Sequence, residues 1–368
     1  MAVKNSQLAD LIMTTLDDLP KQYFEVTWDS QDYEACRIYQ QDRIVIDGGE
    51  QIQREIMLSD TGHARYRRMY DVDQPSSGDV MHKIRVPWCQ LSTYYTWDKA
   101  EIARQMNTAK GFINLMKIKR IDGLWSLAKL IEDRFWKTPA TTSDDLYPYG
   151  VPYYIRWMNQ DTTTDGFVGQ TIRYQDGNPG TVCAGIDSSS EARWRNYAAL
   201  YTVIDNAMLR TFRLAFLYTN FKAPLIVNDP AQPSNGAKRI YTTFDNVVDL
   251  QDLADSKDDK HTGKEVLGNL RMDETGLVYV NRLPVVGIPA LNSETDPQTG
   301  DDPESIYCID FTKFKPFVHE GYWMEEGEPI PGGVTQHTTF TVFLDGQHQN
   351  LCTNVRGAGF VLHKALTA

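Results

Sequence analysis

The sequence lacks the marks of the common membrane, secreted and catalytic classes. No apolar run approaches the length of a bilayer span. The opening MAVKNSQLADLIMTTLDDLP has no apolar signal-peptide core and reads as a short amphipathic helix. Cysteine is scarce: Cys36, Cys89, Cys183, Cys308 and Cys352 are scattered, odd in number and without a CxxC pair. They are therefore expected to be reduced and buried, in a cytosolic setting. Basic residues are in deficit, 37 against 49 acidic, for a net charge of -12. That balance argues against a nucleic-acid reader with a basic face. It is compatible with a container, whose wall can usefully repel DNA.

Site chemistry is equally sparse. HTGKEV (261–266) has a Gly-Lys pair but neither the upstream glycine nor the following Ser/Thr of a phosphate-binding loop. RGAGFV (356–361) has two glycines and follows rather than opens a βαβ unit. HExxH and GxSxG are absent. His63, His82, His261, His319, His337, His348 and His363 show no ligand spacing, and His348 reads as a packed or surface residue across a hairpin from Phe343. The acidic stretches 249–260 and 296–304 lack the glycine and terminal glutamate of an EF-hand loop and read as solvated tips. The expectation is no catalytic, cofactor-binding or metal site.

What is present is a long periodic run from Thr96 to Thr138. Asp98 and Glu101 have capping-box spacing. Ile102, Met106, Ala109, Ile113, Met116, Leu124, Leu127, Ile131 and Phe135 then draw one helical stripe. Lys117, Lys119, Asp122, Lys129, Glu132 and Asp133 fall off it and are expected to stay wet. Unbroken, the helix would span about 60 Å. Gly111 and Gly123 are its weak points, and two helices joined near Gly123 are the alternative.

The rest of the chain, enough for two or three lobes at 368 residues, hangs on that rod. A first helix over 1–20 reads as an arm, followed by the strand-like RIVIDGG. Residues 50–95 read as a two-stranded protrusion with a polar tip, the alternative being a disordered loop. Arg65, Arg67 and Arg68 sit on it; on a strand the first two would share a face. After a long ordered connection, residues 195–220 return to helical spacing through Leu200, Val203, Ile204, Met208 and Phe212. APLIVND, KRIYTTFD and LVYVNRLPVVGIPAL read as strands, 245–276 as helix with loops, and SETDPQTGDDPE as an exposed tip. In the closing strands, Asp345-Gly346 between alternating residues is a hairpin signal. The class is α+β.

This order of pieces resembles the major capsid proteins of tailed bacteriophages, with the Hong Kong 97-type fold. Tyr149-Gly150-Val151-Pro152-Tyr153-Tyr154-Ile155 looks like that family's segment after the spine helix. Gly185-Ile186-Asp187 with Trp194-Arg195-Asn196-Tyr197, and the closing Asn350–Gly359, are similar to two further family motifs. The resemblance implies an N-terminal arm (1–39), an extended E-loop (40–95), a peripheral domain (96–150 and 311–368) and an axial domain (151–310). It implies hexamers and pentamers closing an icosahedral shell around double-stranded DNA, without sequence-specific contacts. Portal, separate scaffolding and decoration proteins would be partners, no membrane would be, and the shell would assemble in the host bacterial cytoplasm to become the virion. Arg65, Arg67, Arg68, Trp194 and Arg195 are the expected inter-subunit contacts. Lys83 is the only lysine between 41 and 95 and has no assignable asparagine partner, so no crosslink is expected. An encapsulin-like nanocompartment shell is the alternative, and an enzyme with an unrecognised site a third reading.

Overall fold

The computed structural model describes residues 33–72, 77–101, 109–141, 144–158, 165–169, 171–176, 179–220, 237–258, 270–272, 276–333 and 336–366. The expected arm helix over 1–20, Ile102 and Met106 of the stripe, and APLIVND lie outside them. Two compact units emerge: residues up to Gly48 with Trp88–Phe135 and Pro316–Gln349, and Gly49–Pro87 with Trp136–Lys315 and Asn350–Ala368.

In the first unit a single helix runs from Ala109 to Phe135, uninterrupted at Gly123, about 40 Å at the usual rise. Met116, Leu127, Ile131 and Phe135 are buried as the stripe requires, whereas Leu124 is exposed. Gly123 takes the place on the buried line that Leu124 was expected to hold. A Cβ there would come within 3.2 Å of Tyr95 Cδ1. The glycine is a contact surface, where the helix presses on the strand Cys89–Asp98, rather than a break. Two residues expected to stay wet are buried, Lys117 and Glu132. Glu132 Oε2 accepts from the backbone N–H of Ala35 (2.7 Å), at the start of the helix Glu34–Gln41. It thereby satisfies one of the donors that every helix start leaves open.

The expected helix start holds: residues 99–101 are helical, and Asp98 Oδ1 accepts from Ala100 N (2.7 Å). Thr96, Trp97 and Asp98 finish the strand Cys89–Asp98, because Tyr94-Tyr95-Thr96-Trp97 is an aromatic and β-branched run that pairs well. Its partner is Gln336–Cys352, in an antiparallel ladder from Cys89↔His348 to Asp98↔Thr339. Cys89, Leu91, Tyr95 and Trp97 point inward while Gln90, Ser92, Tyr94 and Thr96 face out, the period of a half-buried strand. That ladder also overturns the hairpin expected at Asp345-Gly346: Asp345 pairs with Ser92 and Gly346 with Leu91, mid-strand. Gly346 instead admits the backbone of Met324, whose N would lie 3.3 Å from an added Cβ. His348 consequently lies not across a turn but inside, against Tyr39 and Trp323. The sheet is six-stranded, with Ile44–Ile46 parallel to Phe314–His319.

The second unit is built on an eight-stranded mixed sheet. Its strands run in the order Leu270–Met272, Val278–Val280, Leu283–Gly287, Lys238–Thr242, Ile306–Asp310, Gly359–His363, Asn196–Leu200, Asp165–Gly169. The helices Asn206–Thr219 and Phe244–Asp258 bury Met208, Leu209, Phe212, Leu250 and Ala254 in one core with Ile240, Val278, Val285, Cys308 and Phe360. Burying each large side chain is worth roughly 1.5–3 kcal/mol. Residues 195–220 are thus only partly helical. Asn196–Leu200 is a strand, because an almost wholly buried run mimics helical spacing without being amphipathic. The helix starts after Asp205, whose carboxylate accepts from Met208 N (2.9 Å). The strands Gln51–Met57 and Met81–Pro87 form a separate antiparallel hairpin ladder.

Candidate assembly surfaces

The motifs that carry the family resemblance converge inside the second unit. Arg156, just after the tyrosine segment, is fully buried. Its Nη1 donates to Ser188 Oγ (2.9 Å) and its Nη2 to the Trp194 carbonyl. Asn196 behaves as a side-chain strand partner: Oδ1 accepts from Arg156 N (3.0 Å) and Nδ2 donates to Arg156 O (2.8 Å). Gly169 has no room for a side chain, since a Cβ would collide with Asn196 Oδ1. Tyr149 and Tyr153 stack with centroids 4.1 Å apart. Tyr153 Oη accepts from Ala184 N (2.8 Å), while Tyr154 Oη donates to the Asn350 carbonyl (3.0 Å). Asn350 Nδ2 returns a bond to Tyr149 O (3.0 Å). Burial pushes both tyrosine hydroxyls well up and lowers the Arg156 guanidinium.

The expectation that Trp194 and Arg195 meet a neighbouring subunit is corrected for Trp194. It is only 1% exposed, and its indole N–H donates to Cys183 O (3.1 Å). Half-buried Arg195 donates from Nε to Ser188 O (2.8 Å). The shared Trp-Arg-Asn-Tyr string is thus a packing motif. Four of the five cysteines are buried and Cys36 is half-buried, all as free thiols. Burial raises Cys36 and Cys308 to about 12 and Cys183 to about 11.

The hairpin is the opposite case. Arg65, Arg67 and Arg68 are exposed, but in irregular chain beyond the strand ends, so strand alternation does not sort their directions. Arg65 Nη2 donates to Val72 O (3.0 Å), and Asp71 Oδ2 accepts from Arg68 N (2.9 Å). Beside them stand Tyr66 and Tyr70, 107% and 94% exposed, with Met69 and Val72 also bare. The sequence alone leads one to expect apolar residues on the protrusion that a single subunit cannot bury well, and they fall on these four, in a stretch with no periodicity. At the hairpin's root, Arg85 N donates to Ala184 O (3.1 Å). Ala184 and Gly185 form a two-residue turn, both at positive φ (51° and 85°), which glycine adopts without strain. Arg193 adds bonds to Leu58 O (3.2 Å) and Asp60 (3.3 Å), and His82 lies 3.8 Å from Glu191. Lys83, part-exposed, faces Glu55 at 3.7 Å.

The tip 294–304 is not the solvated loop its composition suggests. Asp296 is buried in an ion pair with Arg173 (2.7 Å) and also accepts from Thr299 Oγ1 (2.8 Å). Among the described residues, no group of three or more His, Cys, Asp or Glu side chains could hold a metal ion. No helix there is long and apolar enough to cross a membrane. A cleft lined by Trp136, Lys137, Pro152, Trp157, Ser293 and Glu294 is the best candidate for a reaction site. Its titratable group is Glu294, which burial pushes up to about 8. Ser293 spends its hydroxyl on Ala290 O (3.2 Å) rather than on a base, and no histidine or cysteine lines the cleft among the described residues.

No protein-family model matches the sequence, and no curated protein matches it. Solved structures do. The chain is similar to the chain of the cyanophage A-1(L) capsid asymmetric unit, with TM-score 0.60 and 14% identity over 95% of this chain and 97% of that one. It is similar also to the capsid of an empty GTA particle, with TM-score 0.51 and 10% identity over 94% and 100%. Identity this low speaks only to architecture, and in architecture the agreement runs nearly end to end: the chain has the Hong Kong 97-type fold of tailed-phage capsid proteins.

Proposed function

We propose that this chain is the major capsid protein of a tailed phage, assembling as hexamers and pentamers into an icosahedral shell around a double-stranded DNA genome. The observation that carries this reading is the near-complete, two-way coverage against the cyanophage A-1(L) capsid chain. The exposed hairpin supports it independently. Tyr66, Met69, Tyr70 and Val72 are a large apolar set for one subunit to leave wet, and a neighbouring copy would cover it. On this reading 1–39 is the arm, 40–95 the E-loop, 96–150 with 311–368 the peripheral domain and 151–310 the axial domain. Arg65, Arg67 and Arg68 would pair with carboxylates of the adjacent subunit, where bidentate geometry is selective. The net charge of -12 suits a wall from which DNA must part without sequence-specific contacts. Portal, scaffolding and decoration proteins would join it, with assembly in a reducing host cytoplasm that suits its free thiols.

The test is negative-stain microscopy of the purified protein. Closed shells are expected, DNA-filled when isolated from infected cells. A stable compact monomer at micromolar concentration, seen by analytical ultracentrifugation, would overturn the reading. Shells filled with cargo protein instead would mark an encapsulin-like compartment.

A further inference from the structure

Glu294 lines the cleft beside Trp157, and its carboxyl is buried. Tyr307 donates its hydroxyl to Oε1 (2.7 Å). The Trp157 indole N–H is shared between Tyr307 Oη (2.9 Å) and Ser305 Oγ (3.1 Å). The other oxygen, Oε2, is buried with no hydrogen-bond partner among the described residues. A carboxylate in such a place would keep an uncompensated charge out of water. The charged groups around it do not repair this. Asp302 is of like sign and adds repulsion. Arg173 is committed to Asp296 and Gln298. His363 is held neutral: Nε2 accepts from Met158 N (3.0 Å), and its titration is pushed down to about 4.

The backbone around Glu294 is pinned at both ends. Ile288 N donates to Thr242 O (2.9 Å), and Asp296 is fixed by Arg173. Between these pins Glu294 is the side chain that ties the segment to the strand Ile306–Asp310, through Tyr307. We propose that Glu294 is a proton-dependent latch: neutral, it holds residues 289–295 on that strand, and ionised it releases them toward the cleft. Burial, the largest cause, and then Asp302 push its carboxyl up to about 8 against the downward pull of the Tyr307 hydrogen bond, so the carboxyl of the closed latch is protonated at neutral pH.

The experiment uses the full chain in unassembled form. Carbon-13 NMR of labelled glutamate should show one carboxyl with a midpoint near 8. Hydrogen exchange at 289–295, taken as the ratio of wild type to Glu294→Gln, should rise roughly tenfold per pH unit from about pH 4.5 towards 8 and level off above it. The amide in E294Q stays neutral, which cancels the chemical acceleration of exchange by base. All glutamate midpoints in the ordinary range, or a ratio that stays flat, overturns the latch. Should E294Q fail to fold, the wild-type titration alone decides. Neither readout needs the shell, so the result stands apart from the capsid reading.

Discussion

The hairpin Gly49–Pro87 and the motif cluster around Arg156 belong to one compact unit yet live by opposite rules. In the cluster, Arg156, Trp194, Asn196, Tyr153 and Asn350 are buried and spend polar atoms on groups of the same unit. On the hairpin, Tyr66 and Tyr70 touch little, and its ion pairs are spread in solvent, where each is worth about 0–1 kcal/mol. The cluster holds the motifs that carry the family resemblance. The hairpin is where this chain has surface to offer. Those motifs therefore track internal packing, and the assembly specificity proposed here sits where the sequence has no recognised motif.

The largest effect should come from Trp194→Ala. Losing a fully buried indole and its bond to Cys183 should cost about 3–5 kcal/mol in chemical denaturation. A loss under about 1 kcal/mol would undo the contrast between cluster and hairpin. Acid comes next. His348 and His363 are buried and neutral, each lowered to about 4 by burial from an ordinary 6.5. Their unfolded forms bind protons first, so stability is intact above about pH 6.5 and drains as pH falls towards 4, by up to about 3 kcal/mol per histidine. Urea midpoints at pH 7 and 4.5 measure this, and H348F, which fits the Tyr39 and Trp323 rings, should lessen the acid loss. Third, Gly123→Leu should cost about 1–3 kcal/mol by forcing the helix off Tyr95, read by thermal melting. The smallest effect on stability belongs to the hairpin: R65E combined with R67E should change it by less than about 0.5 kcal/mol. Shells should nonetheless fail to form under the microscope. Normal particles from that double variant would reduce the arginines to surface charge.

What was legible in the sequence was whatever depends on near neighbours. The stripe through Met116, Leu127, Ile131 and Phe135 announced the spine, and scattered cysteines without pairs proved to be free thiols. What misled was each place where a distant partner decides. Asp345-Gly346 has hairpin chemistry, but Leu91 and Ser92, some 250 positions earlier, complete the ladder. Glu132 looks like a wet helix residue until Ala35 brings it an orphan N–H. Asp296 looks like a surface turn until Arg173 encloses it. Trp194 looks like a contact residue until its indole N–H closes on Cys183 O within the same unit. That the protrusion carries apolar residues one subunit cannot bury was legible; which ones was not, because the stretch has no periodicity.

The strand Gly359–His363 lies in the middle of its sheet, antiparallel to Ile306–Asp310 on one side and parallel to Asn196–Leu200 on the other. During synthesis, the two flanking strands leave the ribosome first and wait with open edges for a partner not yet made. Only when residues 359–363 arrive can the sheet close and Asn350 lock the tyrosines. Such a lobe postpones its own completion, so a half-made polypeptide has no finished surface. Released chains ending at residue 350 should accordingly stay protease-sensitive at 196–200 and 306–310, and released chains extended through 366 should become resistant there.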